Sequence, residues 1–163
     1  MARRGRYSGK RRGGGAWFDD FREVVRFIGF ARSAFPGLRV RTTTEGLEFR
    51  VLLPLERYES RMARIVFHRT SPRHPRVTAD GPTESRHRNP DRSMCLWYPD
   101  DGEDQRWVFE DGLPQLLAIV TLHLFKEAHW RRTGGHEGGE WLGDEVHDVE
   151  PKSSDPPIED HAA

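Results

Sequence analysis

Residues 87–96 read HRNPDRSMCL, and Cys95 within them is the only cysteine of the chain. Polar, basic and turn-forming side chains follow one another here with no apolar repeat at two, three or four residues, so the stretch reads as neither strand nor helix. It belongs to a longer run, Ser71–Asp101, rich in Pro, His, Arg, Asp and Ser, for which no regular element is expected. Loops of that length inside a domain are usually functional.

Apolar patterning returns on both sides of this loop. Upstream, Val40/Thr42, Leu47/Phe49/Val51 and Ile65/Phe67 alternate with polar neighbours, separated by Glu45-Gly46, Pro54 and a polar segment at Arg57–Arg61, which predicts a meander of strands. Further upstream, Trp17, Phe21, Val24, Ile28, Ala31 and Phe35 recur at three- and four-residue steps and predict one helix over about 17–34, ended by Pro36-Gly37. Downstream, Asp111 offers an N-cap and Pro114 suits a first turn. The helix that follows runs to about Trp130, with Leu113, Leu117, Val120 and Leu124 on one face and Leu116, Ile119, Leu122 and Phe125 on others, so it is expected to be largely buried. Helix, strands, cysteine loop and buried helix make an α+β pattern.

A chain of 163 residues has room for one ordinary domain, and 35% hydrophobic residues suffice for one core. Residues 1–15 hold six basic residues and five glycines without apolar periodicity, and are expected to form a disordered basic arm. Residues 148–163 are acidic and Pro/Ser-rich and are expected to form a disordered tail, leaving 16–147 as the folded unit. The formal charge is zero, yet residues 1–92 carry 21 Lys and Arg against 10 Asp and Glu, and residues 93–163 carry 5 against 16, an asymmetry that can mark an interaction face. One cysteine excludes an internal disulfide framework and fits a reducing cytoplasm. No apolar run is long enough for a spanning helix, so no membrane partner is expected. His123 and His129 lack zinc-site spacing, and Gly13-Gly14-Gly15 follows no strand, so neither a metal nor a nucleotide cofactor is expected.

A lone intracellular cysteine is most often an inert small hydrophobe. Around Cys95, however, stand Arg86, His87, Arg88 and Arg92, and positive charge favours the nucleophilic thiolate. Two chemistries are open to such a thiolate. Hydrolysis needs an oriented His base, for which His87, His123, His129 and His147 are candidates, whereas acyl transfer from a preformed thioester needs mainly positioning and oxyanion stabilisation.

The segment His87-Arg88-Asn89-Pro90-Asp91-Arg92-Ser93-Met94-Cys95-Leu96 resembles the active-site segment of ubiquitin-conjugating enzymes, where a His-Pro-Asn tripeptide precedes a Cys-Leu pair. The order of elements agrees with that family, as does the proline-bearing segment Ser71-Pro72-Arg73-His74-Pro75-Arg76-Val77. The ending is similar to the bacterial branch found in CBASS antiphage and related conjugation operons: Leu124-Phe125-Lys126-Glu127, then Trp130-Arg131-Arg132-Thr133-Gly134, then Glu140-Trp141-Leu142-Gly143-Asp144-Glu145-Val146-His147. Arg88 stands where the family has proline, and the C-terminal helices of the eukaryotic enzymes are truncated.

The resemblance implies a ubiquitin-conjugating-like fold over about 17–147 and a thioester on Cys95. It implies that His87 and Asn89 order the loop or bind the oxyanion, and that Asp100 or Asp101 orients or deprotonates the amine. The implied partner is a CBASS nucleotidyltransferase (CD-NTase) or a ubiquitin-like protein, held through its C-terminus and either loaded by a separate activating enzyme or, in a short operon that lacks one, handled differently. Nucleic acid is not expected as a partner. The rival readings are a catalytically idle binding module that uses the basic half, and a cysteine hydrolase.

Overall fold

Tyr58 follows Leu55 after only two residues, Glu56 and Arg57, and the chain reverses there into the longest hairpin of the molecule. A computed structural model describes residues 15–97, 101–103 and 106–143. Four strands, β1 (Arg39–Thr42), β2 (Gly46–Leu55), β3 (Tyr58–His68) and β4 (Ser71–Ala79), form one antiparallel sheet in sequence order. Arg57 turns the β2–β3 hairpin at a φ of 64°, in the left-handed region that few residues other than glycine adopt. The polar residues Tyr58–Arg61, expected to separate strands, therefore start β3.

Helix α1 (Phe21–Ile28), the short α2 (Ala31–Ala34) and the 22-residue α3 (Gly112–Thr133) complete the fold, with single 3-10 turns at Trp17–Asp19, Phe109–Asp111 and Gly135–Glu137. Leu47, Phe49, Val51, Leu53 and Leu55 of β2 and Ala63, Ile65 and Phe67 of β3 alternate onto one face of the sheet and are buried there. Leu113, Leu116, Leu117, Val120 and Leu124 of α3 are buried in the same core cluster. Gly46 lies so close to β3 that a Cβ on it would fall 1.9 Å from the Phe67 carbonyl oxygen, so only glycine fits.

Four expectations need correction. The single helix over 17–34 is broken: Asp20 caps α1 by accepting the Arg22 N–H at 2.8 Å, and Gly29, at a φ of 51°, ends it. The interruption resets the helical register, so Phe21, expected on the buried stripe, is 78% exposed while Phe18 and Phe27 are buried. Ser71–Asp101 does contain a regular element, β4. It is an edge strand, where Pro72 and Pro75 cost no ladder bond, and Val77 is its only fully buried apolar side chain. Asp111 does stand at the N-cap position of α3, but its carboxylate turns back to the Val108 N–H at 3.0 Å instead of capping the helix. Leu122 is 55% exposed, so α3 is buried along a stripe and open along its back.

Among the described residues no helix is long and apolar enough to cross a membrane. The basic arm, apart from Gly15, the acidic tail and His147 lie outside the described residues.

Candidate functional site

Past β4, Asn89–Arg92 makes a tight turn closed by the Arg92 N–H on the Asn89 carbonyl at 2.8 Å, with Arg92 at a φ of 67°. The flanks pair as an antiparallel bridge between Arg88 and Met94. The Met94 N–H then donates to the Val77 carbonyl at 2.8 Å, so the turn docks on the free edge of β4. Cys95 follows directly, and its N–H donates to the His87 carbonyl at 3.0 Å. Backbone pairing thus brings His87 and Cys95 side by side.

Asn89 serves the turn itself. Its side-chain amide donates to Ser93 Oγ at 3.0 Å and reaches the Met94 carbonyl at 3.5 Å. Asp91 accepts the Ser93 N–H and Oγ–H and pairs with Arg76 at 2.7 Å. The Ser93 hydrogen bonds come first among the causes that hold its carboxyl below the usual range. Every polar side chain of this turn except Arg92 therefore has a structural task within it or against β4.

Arg88 does most to fix the loop against the body of the molecule. Its Nε and Nη2 donate to the two carboxylate oxygens of Glu127 on α3, each at 2.6 Å, and its Nη1 donates to the Arg92 carbonyl at 3.0 Å. The side chains of Arg88 and Glu127 are 4% and 0% exposed. His123, one turn earlier on α3, lies with Nε2 3.2 Å from Glu127 Oε1, and Arg131 Nη1 lies 3.6 Å from Oε2 while also donating to the Glu84 carbonyl. Burial alone would raise the Glu127 carboxyl, but hydrogen bonds from His123 and Arg88, with the Arg88 charge, outweigh it and hold the group at about 2.

The His87 ring turns toward the helix side, 4.3 Å from the Trp141 ring and 6.4 Å from that of His123. Its backbone N–H donates to Ser85 Oγ at 3.1 Å. Trp141, carried back by the glycine-rich segment after α3, packs its ring against both His87 and His123. Asp100 lies outside the described residues.

Cys95 is half-buried, with Sγ 3.9 Å from the Trp97 carbonyl oxygen. Burial pushes its thiol up, and the negative charge of Asp101 pushes in the same direction. This corrects the expectation that neighbouring arginines favour the thiolate, because Arg88 spends its charge on Glu127. Alkylation of Cys95 by iodoacetamide is accordingly expected to be slower at pH 7.5 than that of an unhindered thiol, and to keep rising with pH beyond the usual thiol range. A rate that levels off near neutral pH would contradict this environment.

Sequence reasoning noted Arg88 beside Cys95 but passed over its pairing with Glu127. The available signal was a carboxylate three residues beyond Leu124 and three before Trp130, on the buried stripe of α3, since buried acids require a partner. Among the described residues, no three His, Cys, Asp or Glu side chains gather into a set that would hold a metal ion. No protein-family model, curated protein or solved structure matches this chain.

Proposed function

We propose that this chain is a bacterial ubiquitin-conjugating-like enzyme that carries a protein C-terminus as a thioester on Cys95 and passes it to an amine, in CBASS antiphage defence with a CD-NTase as the carried partner. The observation that carries the reading is the seating of Cys95. The cysteine follows a turn that begins at His87, docks on the edge of an antiparallel meander and is braced from behind by a long helix. An α+β order of this kind, with a four-stranded antiparallel sheet and one long helix, supports the reading.

In the first step the Cys95 thiolate attacks the carbonyl carbon of a C-terminus already activated as a thioester on a separate activating enzyme. A new S–C bond forms as the old one breaks, and the donor thiolate departs. In the second step an amine attacks the Cys95 thioester, an amide forms, Cys95 leaves as thiolate and the amine proton passes to a base. Asp101, whose charge is felt at the Cys95 sulfur, and its neighbour Asp100 are the assigned acids for orienting that amine. His87 is assigned to the oxyanion side. Asn89 acts by holding the turn, since its amide already donates to Ser93.

Intact-mass analysis of wild type and Cys95→Ser, each expressed with the proteins encoded beside it, tests the reading. A thiol-labile adduct on wild type that becomes a stable ester on Cys95→Ser is expected. Absence of an adduct from both, with every partner present, would overturn acyl carriage and leave a binding module of the same fold.

A further inference from the structure

We propose that Arg88 and Glu127 are positioning residues for Cys95, a buried strut that runs from α3 into the active turn and sets how the thiol is presented. The identification of Cys95 as an acyl carrier rests on the reading above; the geometry of the strut does not. Arg88 sits between the two residues whose backbones meet at the site, directly after His87 and opposite Met94 in the bridge that precedes Cys95. Its guanidinium grips Glu127 with two parallel bonds and the Arg92 carbonyl with a third, joining the helix to both arms of the turn. Arg131 extends the same hub to the Glu84 carbonyl, at the start of the segment leading into His87.

A two-pronged pair inside the fold is a costly way to gain stability, because well-packed apolar side chains do as well or better. What it offers instead is a fixed distance and angle between α3 and the turn. Lysine in place of Arg88 would keep the charge and lose the fork. Glu127 in turn is held in place from its own helix, with His123 and Arg131 on either side of it in the sequence. Loosening the strut frees the turn from α3 while Met94 still ties it to β4.

The test uses the full chain and its variants, with iodoacetamide as the probe of Cys95. Arg88→Met combined with Glu127→Leu removes the strut while keeping its volume apolar, and is expected to retain its circular dichroism and cooperative unfolding. Released from its half-buried seat, Cys95 should alkylate about tenfold faster at pH 7.5, with the pH profile moved down by about one unit. Adduct yield with the neighbouring proteins should fall about tenfold or more, because a misplaced thiol meets its thioester donor poorly. Arg88→Lys should lie between the two.

A folded double variant with the wild-type alkylation profile would overturn the proposal and leave the pair a packing feature. Should the double variant fail to unfold cooperatively, Glu127→Gln takes its place with the same two outcomes. If wild type itself forms no adduct, the acyl-carrier reading fails, and the alkylation comparison still decides whether the strut positions Cys95.

Discussion

Arg88→Ala is expected to destabilise the fold by about 3–5 kcal/mol, the cost of leaving a buried carboxylate without its partner. For a domain of this size that lowers the thermal midpoint by roughly 10–20 °C. Glu127 is 0% exposed, and His123 and Arg131 together make one 3.2 Å contact and one 3.6 Å contact with it, which do not replace two bonds of 2.6 Å. The same carboxylate predicts an acid response. Its group is held at about 2 in the fold against an ordinary 4.5. Its contribution, about 3 kcal/mol by linkage, is therefore complete above pH 4.5 and lost as pH falls from there toward 2. Thermal midpoints of wild type and Glu127→Gln measured across that window should converge toward the acid end. Parallel curves would show that the buried pair is not what acid titrates.

Phe67→Ala is expected to be the most damaging single change in the sheet. The ring is 0% exposed and lies with its centroid 5.2 Å from Phe27, 5.4 Å from Trp17 and 6.1 Å from both Phe49 and Trp107, three of these contacts edge-on at 86°. Truncation loses its transfer energy and leaves a cavity walled by rigid rings, about 3–5 kcal/mol in such settings. Denaturant midpoints with tryptophan fluorescence would report it, since Trp17 and Trp107 border the space. Phe21→Ala is the matched control: at 78% exposure it should change stability by no more than about 0.5 kcal/mol. Equal losses from the two substitutions would contradict the register of α1.

The contrast between Phe21 and Phe67 bears on what a sequence can say. Alternation at Leu47/Phe49/Val51 and Ile65/Phe67 identified β2 and β3 because a strand half-buried on one face must alternate. The stripe held at Trp17, Ile28 and Ala31 but misled at Phe21, because spacing alone does not tell where a helix starts, and Asp20 starts α1 three residues after Trp17. Strand β4 was illegible for a different reason. An edge strand beside a docked loop buries little and tolerates proline, so its residues carry the composition of a turn.

At the candidate site the sequence determined which chemistry is at hand: one thiol, a histidine eight residues before it, and acids just after it. Residue type and spacing suffice for that. Only the tertiary structure decided where the surrounding charge goes. Four cationic or ionisable side chains near Cys95 along the chain suggested a thiolate, yet Arg88 crosses to a buried glutamate thirty-nine residues later and Cys95 is left half-buried beside Asp101. Electrostatic influence falls off with distance in space and depends on burial, and neither is a property of sequence separation.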